Sequence, residues 1–349
     1  MKRWVRHLAL GLAIAFLALT IFNASWLAPS PRGMPKLLAH RGVMQQFGRA
    51  NSGAATCTAT LIEPPVTPFI ENTAPALYQA QRLGAQMIEI DVAQSADGHL
   101  VLFHDDDLGC RTDGAGKLAG ATLAQLKALD AGYGYSADGG KTFPLRGTGK
   151  GLIPTLDEAL AAAPQTPLLY NLRGTNPALG ERLVAALKAA GRDPIARRDG
   201  FSGPEATLAP IRTAWPGAWA YSDEAVEACT RSYLAQGWLG MMPAACRNGT
   251  IAIPLNRQFL FAGWPNRLIA RMEAAHAHVL LIGPTGAHKP MGLDLPEQIG
   301  DIPVGFNGYV WVDDIHAVGP ALRPALNKRN PVEEAELVKA LDARRKARD

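Results

Sequence analysis

Neither G-x-G-x-x-G nor G-x-x-x-x-G-K-[ST] occurs in this chain, so the glycine-rich phosphate loops of nucleotide-binding folds are missing. No C-x-x-C and no Cys/His zinc spacing is present, which argues against a structural zinc site or a dithiol redox centre. Acidic residues are absent from residues 1–36, which hold Lys2, Arg3, Arg6, Arg32 and Lys36. Setting those five aside leaves 30 basic against 31 acidic residues, so the calculated pI near 8.9 belongs to the front end. The body has no basic footprint, which excludes a nucleic-acid partner.

Charge is also lacking from Leu8 to Ala28. These 21 residues at 1.5 Å each would make a helix of about 31 Å, close to the hydrocarbon thickness of a bilayer. With Lys2, Arg3 and Arg6 ahead of it, the stretch reads as a membrane anchor that holds the body outside the cytoplasm, with Trp26 at the far interface. A cleaved signal peptide is the alternative, with Ala24-Ser25 or Ala28 as small residues near the cut. The four cysteines suit an exported body and allow three pairings. Cys57–Cys110 and Cys229–Cys246 are the pairings expected. The first would tie a long loop to the loop after His104, and the second would staple one strand–helix unit.

After the proline-rich break Pro29–Pro35, short apolar runs alternate with helix-like segments. Strands are expected at Leu37–His40, Gln86–Val92, Leu100–His104, Pro167–Leu172, Ala218–Tyr221, Gly237–Met242, His278–Ile282 and Gly308–Val312. Helices are expected at Ala74–Leu83, Leu156–Ala162, Pro177–Ala190, Pro204–Thr213, Asp223–Gln236, Trp264–Ala275 and Ile315–Leu322. This alternation means a parallel sheet, and eight strands over about 310 residues fit an α/β (β/α)8 TIM barrel with loop insertions. A doubly wound open sheet is second choice. The organisation is then 1–36 as anchor or signal plus linker, 37–330 as barrel, and 331–349 as an exposed charged helix with its charge run solvated. Val43–Ile70 and the segment from Asp105 to about Gly151 read as insertions over the barrel mouth. Trp215, Trp219, Trp238 and Trp264 are expected to fill space between barrel and helices.

The chemistry centres on Ala85-Gln-Met-Ile-Glu-Ile-Asp-Val-Ala93. Strand side chains alternate, so Glu89 and Asp91 share a face while Ile88, Ile90 and Val92 take the other. Two carboxylates on one buried face repel unless a cation separates them, and hard divalent ions prefer carboxylate oxygens. The competing reading is a solvent-facing edge strand. Around this pair stand Leu37-Leu-Ala-His-Arg-Gly42, Glu71-Asn72-Thr73 and Gly98-His-Leu-Val-Leu-Phe-His-Asp105. Each histidine closes an apolar run, where a parallel strand delivers side chains to a barrel mouth.

The order H-R-G, E-N-T, E-x-D and H-D resembles the glycerophosphodiester phosphodiesterase family, within the phospholipase C-like phosphodiesterase barrels. The likeness is specific over Leu37 to Asp113. It implies His40 and His104 as the acid–base pair, assigned as base and acid respectively with the reverse order open, Arg41 and Arg173 at the phosphate, and one divalent ion (Ca or Mg) near Glu71, Glu89, Asp91 and Asn171. Trp311 and Asp313 could line the mouth, with core packing and helix capping as their ordinary roles. The family commonly has E-x-K where this chain has Asn171-Leu-Arg173, a change that keeps an oxygen donor but removes one negative charge. The implied activity is metal-dependent hydrolysis of a glycerophosphodiester to glycerol phosphate and an alcohol. Alternatives are phospholipase D-like or lyase action on intact phospholipids, or an envelope-anchored binding protein with an impaired site.

Overall fold

The computed structural model describes residues 3–48, 56–286 and 292–348; His288 and residues 49–55 of the Val43–Ile70 loop lie outside them. Among the described residues nine strands form: β1 (Lys36–Ala39), β2 (Met87–Gln94), β3 (Leu100–Leu102), β4 (Leu168–Leu172), β5 (Gly200–Ser202), β6 (Trp219–Tyr221), β7 (Thr250–Pro254), β8 (His278–Ile282) and β9 (Tyr309–Val312). Eight run parallel in the order β6-β5-β4-β2-β1-β9-β8-β7. Among the described residues no backbone ladder joins β6 to β7. Instead the Trp219 indole donates to Thr250 Oγ1 at 2.9 Å, and its ring stacks on His278 of β8 at 4.6 Å. The fold is a TIM barrel, closed on that side by side chains.

The count of eight parallel strands agrees with expectation, but two members differ. Leu100–Leu102 pairs antiparallel with β2 and stands off the barrel path. Gly237–Met242 is no strand: the chain turns there through a short 3-10 segment, Gly237–Leu239. Their places are taken by β5, only three residues long, and by β7. The helices fall close to expectation, with Leu156–Ala162, Asp223–Gln236 and Ile315–Leu322 matching end to end. Thr155 and Ser222 cap the first two through their side chains.

Two cores follow from strand alternation. Ile88, Ile90 and Val92 face the large core between barrel and helices, whereas Met87 faces the barrel interior with Leu38, Leu169, Trp219, Tyr221 and Leu280. Glu89 and Asp91 are fully buried on this central strand, which rules out an exposed edge. Trp219 therefore fills the barrel itself rather than the space outside it, and Trp238 is 47% exposed. A third cluster, including Leu108, Leu126, Tyr135 and Ile153, gives the insertion after His104 its own small core.

His278 packs here on the Trp219 ring, which also stacks on Tyr309. Burial, with Lys36 nearby, pushes its pKa down to about 4. The unfolded chain would take up this proton near 6.5. Stability is thus full above that pH and falls by up to about 3 kcal/mol as the pH drops toward 4. His278→Phe should flatten this loss, so its melting temperature relative to wild type should rise between pH 7 and pH 4.5. An unchanged difference would refute the assignment.

The N-terminal helix Arg3–Asn23 starts earlier and stops sooner than expected, and its apolar side chains are exposed along its length. The C-terminal helix Pro331–Lys346 departs more. It has acids in its first turn and bases in its last, as its dipole favours, yet it is not merely solvated. Leu337 and Leu341 pack with Leu295 and Ala317, and Arg344 is buried against Glu63 and Asp314 at 2.8 and 2.9 Å. Both expected disulfides form, Cys57–Cys110 and Cys229–Cys246.

Candidate active site

The barrel register puts the expected site residues at one rim. Asp91 pairs with Asn171 across β2 and β4, while Ala39 pairs with Val312, setting His40 beside Asp313. His104 arrives differently from the expected parallel strand. The eight residues of β2 overshoot the rim, and β3 folds back along them until Phe103 N bonds the Asp91 carbonyl at 3.1 Å. His104 follows directly, level with the carboxylate pair.

Each imidazole is held by a carboxylate through Nδ1. His40 Nδ1 lies 2.8 Å from Asp313 Oδ1, and His104 Nδ1 lies 2.5 Å from Asp105 Oδ1. A carboxylate on Nδ1 fixes the proton there and leaves Nε2 free for proton transfer. Asp313 also accepts from Gly292 N at 2.9 Å, and the helix cap expected of it falls to Asp314. The Trp311 ring tilts against His40 at 5.1 Å. Burial and the charge of Arg41 lower the His104 pKa. Asp105 is half-buried, but its bond to His104 and the Arg111 charge bring its pKa down to about 2.

Arg41 reaches the site because the chain turns sharply, with φ of 57° at Arg41 and 77° at Gly42. A Cβ at Gly42 would press on the Ala76 carbonyl at 3.0 Å, so only glycine fits. Arg41 N donates to Glu89 Oε2 at 3.0 Å, and its Nε lies 3.2 Å from Asp91 Oδ2. Asp91 also accepts from Asn72 Nδ2 and Asn171 Nδ2, at 2.8 and 2.9 Å. Burial and repulsion from Asp91 push Glu89 up to about 7. Asp91 is equally buried, but His104, Arg41 and Arg173 outweigh burial and hold its pKa low.

Sequence reasoning missed Arg111. Its guanidinium is buried and contacts Glu71 at 2.5 Å, Asp105 at 2.8 Å, Thr58 at 2.7 Å and Tyr135 at 3.0 Å. One oxygen of Glu71 is thereby paired with an arginine, while its Oε2 is buried without a hydrogen-bond partner. The Cys57–Cys110 disulfide lies one residue from both Thr58 and Arg111. Arg173 sits at the end of β4 and, with Asp105, lines a cavity of about 500 Å³ that extends past Gln94, Lys117 and Asn176.

As a metal site the rim fits in part. Glu89 Oε1 is buried without a hydrogen-bond partner beside a second carboxylate, which suits a hard cation. Yet among the described residues no three Asp, Glu, His or Cys groups converge as a metal cluster, and Asn171 turns its amide N–H toward Asp91.

Fold and rim together define a TIM-barrel protein whose mouth offers two carboxylate-held imidazoles, two arginines and a buried acid pair. Residues 40–193 match the Glycerophosphoryl diester phosphodiesterase family. It is 36% identical over 123 residues to the glycerophosphodiester phosphodiesterase of Caldanaerobacter subterraneus subsp. tengcongensis, covering 34% of this chain and 47% of that one. Against the Bacillus subtilis glycerophosphodiester phosphodiesterase it is 32% identical over 124 residues, covering 34% and 41%. The match thus spans less than half the length of either relative. An Oleispira antarctica phosphodiesterase, solved with the product sn-glycerol-3-phosphate, superposes with a TM-score of 0.54 at 22% identity, over 83% of this chain and 97% of that one. An Agrobacterium tumefaciens glycerophosphodiester phosphodiesterase gives 0.53 at 20% identity, over 84% and 100%. At these identities the two structures speak to the fold.

Proposed function

We propose that this protein hydrolyses glycerophosphodiesters to glycerol phosphate and an alcohol, outside the cytoplasm, anchored by the helix Arg3–Asn23. One observation carries the reading: two imidazoles at one barrel rim, each oriented by its own carboxylate, beside Arg41. His40 Nε2 takes the proton of the attacking water as its oxygen bonds to phosphorus, and Asp313 stabilises the imidazolium that forms. The phosphorus–oxygen bond to the alcohol breaks, and His104 Nε2 gives the departing oxygen its proton. Burial lowers the His104 pKa in the free site, so the acid role relies on the anionic phosphodiester to draw a proton onto it. Arg41 and Arg173 pair with phosphoryl oxygens. A divalent ion, Ca or Mg, at Glu89 and Asp91 with Asn171 and Glu71 nearby would polarise the phosphoryl group.

The test is release of glycerol phosphate from glycerophosphocholine and glycerophosphoethanolamine by the full chain, with chelator and with added Ca or Mg. No release under any condition, for these or other headgroups, would overturn the proposal. The amide of Asn171 on Asp91 supports a second reading, a binding protein without turnover. Binding of the phosphodiester with no product would favour it. Asn171→Glu restores a carboxylate next to Asp91, and calorimetric titration should show divalent binding tightened at least about tenfold. Unchanged affinity would remove Asn171 from the cation's surroundings.

A further inference from the structure

The end of the apolar helix is packed into the barrel domain. Asn23 Nδ2 donates to the Trp238 carbonyl at 2.8 Å, and Asn266 N donates to Ser25 Oγ at 2.9 Å. Arg267 Nε donates to the Ala24 carbonyl at 3.3 Å. The Phe22 ring lies against Gly240, where a side chain would clash, and under the guanidinium groups of Arg267 and Arg271 at 5.7 and 5.3 Å. Asn23 and Ala24 are buried in this junction.

Around this junction the surface is unusually apolar. Trp26, Leu27, Trp238, Leu239, Met241 and Phe259 are 77, 56, 47, 58, 47 and 75% exposed. They come from three separate stretches. The Trp238 indole draws two of these together by donating to the Leu260 carbonyl at 3.2 Å. Exposed aromatic and aliphatic side chains gathered from distant segments mark an interaction surface.

We infer that this face is seated in the outer interface of the phospholipid bilayer, an inference that rests on reading Arg3–Asn23 as the anchor. A helix of 21 residues reaches about 31 Å, so its last residue lies at the boundary between acyl chains and headgroups. Whatever bonds Asn23 and Ser25 lies at that depth as well, which fixes Trp238 and Asn266 there. Tryptophan is the side chain best suited to this layer, and Arg267 and Arg271 stand where lipid phosphates lie. The barrel therefore rests on the membrane by a fixed face instead of swinging on a linker.

All four cysteines are in disulfides, so single thiol probes can be introduced. The full chain would be reconstituted in phosphatidylcholine–phosphatidylglycerol nanodiscs. A fluorophore would be placed in turn at Phe259→Cys, at Leu12→Cys in the helix, and at Tyr78→Cys. Tyr78 is exposed on the helix between β1 and β2, across the barrel from β7. Brominated acyl chains should quench the probes at 259 and 12 by about half or more and leave the probe at 78 unchanged. Quenching at 12 but not at 259 would overturn the seated face while leaving the anchor intact. No quenching at 12 would remove the anchor and the inference with it. Shielding of the 259 probe from aqueous iodide without lipid quenching would mean that protein, such as a second copy of the chain, covers this face, and would also overturn it.

Discussion

His104→Ala is expected to lower kcat/KM for a glycerophosphodiester by about 10²–10⁴-fold, the usual contribution of a positioned general acid. His40→Ala should fall in the same range. The fall should appear chiefly in kcat, because in the proposed scheme each imidazole acts on a proton in flight and not on the resting substrate. The double variant should be little worse than the weaker single one, since acid and base serve one displacement. Asp313→Asn and Asp105→Asn extend the test. An amide in either place can accept or donate, so the proton on Nδ1 is no longer fixed. Both should lose kcat with KM nearly constant. A His104→Ala variant that turns over at the wild-type rate would end the two-histidine scheme, whatever the family relationship.

The second large effect is expected at Arg111. Its guanidinium meets both Glu71 and Asp105, and is almost wholly buried. Arg111→Met keeps the bulk of the side chain but leaves two carboxylates without their counter-charge. Breaking a buried pair in this way costs about 3–5 kcal/mol, read as a lowered urea midpoint. Asp105 would also lose the partner that faces it away from His104, so kcat should fall further than lost stability explains when assayed well below the melting temperature. Arg111→Lys restores charge without the two-pronged reach and should recover part of the stability. If Arg111→Met proves as stable as wild type, the network around Glu71 contributes nothing to the fold.

Much of the rim was legible because its chemistry is concentrated in short runs. His40, Arg41 and His104 follow the ends of apolar strands and Glu89 and Asp91 interrupt one, places where a polar residue is conspicuous, and alternation assigned Glu89 and Asp91 to one face. Their partners were less visible. Asp313 follows an apolar strand 273 residues beyond His40, and only the pairing of β1 with β9 makes them neighbours. Arg111 sits in an insertion whose path depends on its own small core, so no local pattern points to Glu71. The strand errors have similar causes. β5 is too short to develop a period, and β7 ends in Pro254, a residue that argues against a strand interior. Gly237–Met242 is apolar for another reason, since Trp238, Leu239 and Met241 lie on the exposed face beside the N-terminal helix.

The Cys57–Cys110 bridge has a bearing on when the protein becomes competent. It closes a loop of 53 residues and, by chain-entropy reasoning, stabilises by about 4 kcal/mol. Its two ends carry Thr58 and Arg111, which grip each other next to Asp105. While both sulfurs are thiols that grip has no tether. On the reading proposed above, reducing this bridge should loosen the hold on Asp105 and lower turnover, so activity should depend on an oxidising surrounding.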